Sequence, residues 1–117
     1  MYGIGTDIVE IPRIKPWSND KTTLEFVFTQ KEIADAFKKK VPHKHLASIF
    51  ATKEAFMKAI GTGWGNGVGW KDIEVHIDKR TISIKLYNKA KALCCGKKVF
   101  VDTSCTNTSA IATVLIS

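Results

Sequence analysis

Hydrophobic and polar positions change period several times along this chain, and each change marks an element. Residues 2–9 carry Tyr, Ile, Ile and Val around two glycines, which reads as a buried strand whose glycines permit close backbone approach. Pro12 opens a short helical or irregular segment through Trp17. After Phe26-Val27-Phe28, the run Thr29-Gln30-Lys31-Glu32 is a capping-box signature, so a helix is expected to about Lys40, with Pro42 stopping it. From about His43 to Ile60, Leu46, Ile49, Phe50, Phe56, Met57 and Ile60 follow the helical period and define a core face.

Glycine then punctuates the pattern. Gly61, Gly63, Gly65, Gly67 and Gly69 are five of the chain's eight glycines, and a mobile or tightly curled loop is expected there. Beyond it, residues 73–77 and 81–86 alternate as two strands around an Asp78-Lys79-Arg80 turn. Asn88 to Cys95 reads as a short helix closed by Gly96. Residues 98–103 and 110–116 form a last strand pair across Ser104-Cys105-Thr106-Asn107-Thr108. The order β-α-α-β-β-α-β-β predicts an α+β fold, an antiparallel sheet packed on helices to one side.

Length sets one domain over residues 1–117. No apolar stretch approaches the roughly 20 residues that span a bilayer, and the N-terminus lacks a signal-peptide pattern. The odd cysteine count (Cys94, Cys95, Cys105), without C-x-x-C spacing, fits reduced thiols in the cytoplasm. A net charge of +7 calls for an anionic partner: nucleic acid, an acidic protein or a polyphosphate ligand. The lysines that supply it are scattered, as on an ordinary solvated surface.

Two acids stand out against this background. Asp7 lies in the apolar opening strand, where a charge is costly unless paired or bound to a cation. Glu54 lies on the long helix, one turn before Lys58, close to the Gly61-Thr62-Gly63 exit. On a helix surface Glu54 and Lys58 would make a weak i,i+4 ion pair. Read with Asp7, they suit a magnesium site, since that ion keeps waters and takes its remaining ligands from substrate phosphates. The glycine run is not a G-x-x-x-x-G-K-[ST] phosphate loop and follows a helix C-terminus, whose dipole disfavours anions. Lys53, Lys58, backbone amides or the metal itself would have to hold a phosphate there. No zinc spacing joins His43, His45 and His76, and no nucleophile triad is readable.

Together these segments resemble the holo-acyl-carrier-protein synthases, the small phosphopantetheinyl transferase family. The resemblance rests on Gly3-Ile4-Gly5-Thr6-Asp7-Ile8-Val9-Glu10, on Phe28-Thr29-Gln30-Lys31-Glu32, and on residues 50–63 ending in Gly61-Thr62-Gly63. It continues through Trp70-Lys71-Asp72-Ile73-Glu74-Val75 and covers nearly the whole chain. What it implies is a phosphopantetheinyl transferase-like fold and transfer of 4′-phosphopantetheine from coenzyme A to a serine of apo-acyl carrier protein, within fatty acid biosynthesis. Asp7 and Glu54 match the family's acids for Mg2+, and Lys58 matches its lysine at the phosphates. Glu54, directly or through a water, is the candidate base for the carrier serine. Coenzyme A would meet Lys53, Lys58, Gly61, Thr62, Gly63, Cys105 and Thr106, and Arg13 would face the acidic carrier protein. Similar proteins are homotrimers with active sites at subunit interfaces.

Two departures from the family pattern bear on the nucleotide. Ser104-Cys105-Thr106 stands where the family often has Ser-His-Thr, and a thiol cannot donate as imidazolium does, so either affinity for coenzyme A is lower or a nearby lysine compensates. Asp78-Lys79-Arg80-Thr81 replaces a Gly-x-Pro in the central hairpin. Two other readings remain open. One is a basic nucleic-acid-binding module using Lys38, Lys39 and Lys40 with Trp64 or Trp70 for stacking. The other is a catalytically weakened relative that keeps only carrier-protein binding, for which Cys105 is the one argument.

Overall fold

A computed structural model describes residues 3–61, 67–79 and 81–117. β1 (Gly3–Glu10) runs antiparallel to β5 (Ser109–Ile116), and β5 runs antiparallel to β4 (Val99–Cys105), giving the order β1-β5-β4. β2 (Ile73–Ile77) and β3 (Ile82–Leu86) form a separate antiparallel hairpin. The antiparallel α+β expectation holds, but among the described residues the strands divide between two sheets.

Among the described residues, four α-helices lie between β1 and β2. α1 (Ile11–Ile14) passes through a 3-10 turn over Lys15–Asn19 into α2 (Lys21–Val27). α2 is absent from the sequence reading; Asp20 caps it by accepting from the Thr23 backbone N–H at 3.2 Å. α3 (Gln30–Phe37) begins with the expected capping box: Thr29 Oγ1 accepts from Glu32 N at 3.2 Å and Glu32 Oε1 from Thr29 N at 2.8 Å. α4 (Pro42–Ala59) takes Pro42 as its first residue, where a missing N–H costs nothing. After β3, α5 (Asn88–Cys94) closes through Cys95 (φ 56°) and the expected Gly96 (φ 74°), both with positive φ.

α4 lies across the inner face of the three-stranded sheet, where Val9, Ala110, Ala112, Val114 and Ile116 are buried. Small residues on that face bring the helix close. β1 is therefore not buried on both sides, as its composition suggested: Ile4 and Ile8 point away from α4 and are 68% and 62% exposed. The strand period explains this, since successive side chains alternate between faces and one chain has a single helix to cover one of them.

Candidate functional site

The close approach of α4 to β1 begins with two glycines. A Cβ at Gly5 would lie 2.1 Å from the Ala55 carbonyl oxygen, and one at Gly3 would lie 1.7 Å from that of Ala59. No side chain fits in those gaps, so the helix rests on bare strand backbone. Asp7 is two residues past Gly5 and points to the same side of the strand. Glu54 and Lys58 each precede one of the two contacting alanines, so they line the adjacent edge of α4.

Geometry then brings three of the predicted side chains together. Lys58 Nζ donates to Asp7 Oδ1 at 2.8 Å and to the Thr6 carbonyl at 3.1 Å. The Asp7 side chain is only 12% exposed. Glu54 faces Asp7 from the helix: burial, reinforced by the like charge of Asp7, pushes its carboxyl above the ordinary range against the pull of Arg13 and Lys58. The hydrogen bond that Lys58 donates to Asp7 holds the pKa of its ammonium above the ordinary value. Arg13, on α1, completes the charge pattern, and its guanidinium lies 5.9 Å from the centre of the Phe50 ring.

Two half-buried carboxylates facing each other form a donor set that a divalent cation would relieve. No group of three or more His, Cys, Asp or Glu side chains suited to a metal occurs among the described residues. Two facing carboxylates are a donor set for an ion that needs few protein ligands and accepts oxygens from a phosphate, as magnesium does.

Lys53 requires a correction. Expected at the phosphates of coenzyme A, it is turned inward and has no exposed surface. Its ammonium donates to Glu32 Oε1 at 2.7 Å, to the Trp70 carbonyl at 2.8 Å and to the Val27 carbonyl at 3.0 Å. With three N–H groups and three acceptors it has nothing left for a ligand. Burial lowers the Lys53 pKa and raises that of Glu32, so desolvation outweighs their attraction on both sides of the pair.

Gly61 ends α4 with φ 73°; Thr62 and Gly63, also assigned to coenzyme A, lie outside the described residues, as does Trp64. Trp70 is buried against Phe50 (ring centres 5.0 Å apart) and has no face free for a base, which removes one stacking platform of the nucleic-acid reading.

Cys105 lies elsewhere. It lines a cavity of about 440 Å³ near the N-terminal end of α4, together with Lys39, Lys40, Lys44, His45 and Ser104. At 1.5 Å per residue, Lys44 is about 15 Å along the helix from Glu54. Burial, with the charge of Lys39, lowers the His45 pKa. The Thr106 hydroxyl is engaged in the β4–β5 turn, where it accepts from Ser109 N at 3.1 Å. Along the sequence these lysines look scattered over an ordinary surface. Their clustering depends on β4 ending beside α4, although the run from Lys38 to Lys44 was a visible signal.

Comparison with known proteins adds the following. Residues 3–114 match the family model described as the 4′-phosphopantetheinyl transferase superfamily. A holo-[acyl-carrier-protein] synthase of Geobacter sp. is 41% identical over 96 residues, covering 80% of this chain and 77% of that one. Its counterpart from Pseudoalteromonas atlantica is 37% identical and covers 99% and 96%. Among solved structures, the Bacillus anthracis holo-(acyl-carrier-protein) synthase in complex with CoA (3′,5′-ADP) superposes with a TM-score of 0.80 at 32% identity, covering 97% and 94%. The Helicobacter pylori enzyme in complex with coenzyme A gives 0.80 at 28% identity, covering 97% and 99%.

Proposed function

The chain belongs to the 4′-phosphopantetheinyl transferase superfamily, as a holo-[acyl-carrier-protein] synthase, and from that membership we infer how its residues carry the reaction. It transfers 4′-phosphopantetheine from coenzyme A to a serine of apo-acyl carrier protein and releases adenosine 3′,5′-bisphosphate. The observation that carries the assignment of the centre is the meeting of Asp7, Glu54 and Lys58 at one seam between β1 and α4.

Asp7 and Glu54 would hold Mg2+, which supplies charge neutralisation at the diphosphate. The serine oxygen attacks the β-phosphorus, the bond from that phosphorus to the bridging oxygen breaks, and the electron pair leaves with the nucleotide. Glu54, directly or through a water, takes the serine proton. Lys58, half in solvent, can turn its ammonium to the phosphate oxygens as charge builds on them. Arg13, exposed on α1, would face the acidic carrier. Coenzyme A would also meet Gly61, and beyond it Thr62 and Gly63. Its nucleotide end suits the cavity at Cys105 and Thr106, where Lys39, Lys40 and Lys44 supply the positive charge that Cys105 lacks.

Self-association fits the outer face of the three-stranded sheet. There the register places Leu115 between Ile4 and Phe100, and Ile8 beside Ile111, and all five are exposed in the single chain. Such a patch marks an interaction surface. A homotrimer would bury it and place the lysine-lined cavity of one protomer near the acids of the next. No helix among the described residues is long and apolar enough to cross a membrane. The three free thiols suit a reducing, cytoplasmic setting, and a product holo-acyl carrier protein would serve fatty acid biosynthesis.

The test is mass spectrometry of apo-acyl carrier protein incubated with the chain, coenzyme A and Mg2+. One added phosphopantetheine moiety per carrier is expected, and an unchanged carrier mass under every divalent metal tried would reject the reaction.

A further inference from the structure

Lys53 and Glu32 make one of the most completely satisfied polar clusters in the molecule, and the reaction described above uses neither. Both side chains are fully buried. The Lys53 ammonium gives its three hydrogen bonds to three separate elements: the end of α2 at Val27, the first turn of α3 at Glu32, and the 3-10 turn preceding β2 at Trp70. Glu32 completes the cluster, with Oε1 also accepting from Thr29 N at 2.8 Å and Oε2 accepting from Val75 N at 2.7 Å. Five segments of the chain thus meet on one ion pair.

Stability alone does not call for such a pair. An apolar pair of similar volume is often neutral or stabilising, because the attraction of two buried charges must first repay the cost of taking both out of water. Direction is what the ions add. Hydrophobic contact is non-directional, whereas hydrogen bonds to three acceptors fix both where an ammonium sits and how its stem leaves the helix. Lys53 is the residue immediately before Glu54, about 100° around α4 from it. A helix pinned through Lys53 on its core side therefore has its rotation set, and that rotation aims Glu54 at Asp7. The same ammonium holds Trp70, which packs on Phe50, the ring beneath the Arg13 guanidinium.

We propose that Lys53, clamped by Glu32 and the Val27 and Trp70 carbonyls, is a positioning residue for the transfer reaction, fixing the rotation of α4 so that Glu54 meets Asp7. The inference rests on the reading of Asp7 and Glu54 as the reaction centre. It gives the buried lysine a role through its neighbour and none toward coenzyme A.

The double variant Lys53→Met with Glu32→Leu removes the ions while keeping apolar bulk. It is expected to melt within a few degrees of wild type, to lose at least tenfold in kcat, and to keep the KM for coenzyme A within about twofold. Its affinity for Mn2+, read by electron paramagnetic resonance without substrates, should fall several-fold, a change that a purely structural role would not produce at unaltered melting temperature. A folded double variant with wild-type kcat and Mn2+ affinity overturns the proposal. So does a tenfold rise in the KM for coenzyme A at unchanged kcat, which would make Lys53 a nucleotide contact. Should the double variant not fold, Glu32→Gln carries the same test, with reduced kcat and unchanged KM supporting the proposal and wild-type kcat opposing it. A wild-type chain that transfers nothing would overturn the reaction itself, and the Mn2+ comparison would still decide the role of Lys53.

Discussion

Burial and the facing Asp7 charge make Glu54 easier to protonate in the folded chain than in the unfolded one. The folded state therefore binds more protons in the window above 4.5, and stability falls as pH rises through it. Glu54→Gln removes that burden. We expect the variant to melt at or above the wild-type temperature at neutral pH, with the gap closing as pH falls toward 4.5, while transfer to the carrier is lost. Melting curves across this range check the sign, and a variant less stable than wild type at neutral pH would contradict it. Function and fold pull in opposite directions at this residue, as strained sites commonly do. The sequence distinguished Asp7 and Glu54 by their surroundings but could not separate Lys53 from Lys58. Spacing held a clue: Lys53 is four residues after Ile49 and three before Phe56, in phase with the buried face of α4. Helical phase was the better guide than charge.

Among elements, the seam between β1 and α4 decides whether a site exists. Gly5→Ala would drive a methyl group to 2.1 Å from the Ala55 carbonyl, so the helix must lift from the strand. Overpacking against backbone costs about 3 kcal/mol or more. The expected outcome is a chain that unfolds at lower denaturant and transfers poorly even where it remains folded; a wild-type denaturation midpoint would show that the strand can shift freely. Most elements were legible because each carried its own local signal, such as the Thr29–Glu32 capping box or the alternation in β2 and β3. α2 was missed because its cap, Asp20 with Thr23, precedes too short an apolar run to show a period. The lysine-lined cavity was missed for another reason: α4 and β4 meet there from positions about 60 residues apart, a contact that no local pattern reports.

For the whole molecule, the uncovered apolar face of the β1-β5-β4 sheet and the separation of the Cys105 cavity from the acids point to one arrangement, copies of the chain sharing their sites. Ile8→Lys places a charge in the middle of that face. Sedimentation should show the variant as single chains where the wild type runs as a larger species, and transfer should fall with it; a wild type that already sediments as one chain would remove the assembly. The strand's outward residues were misjudged as core because apolar composition alone does not tell a strand covered on one face from one covered on both. The centre itself is tested most directly by crystals grown with coenzyme A and Mn2+. Anomalous scattering is expected to show one ion between the Asp7 and Glu54 carboxylates, against the diphosphate, whereas an ion bound elsewhere, or a diphosphate lying away from both acids, would contradict the assignment of this seam as the place where phosphopantetheine changes hands.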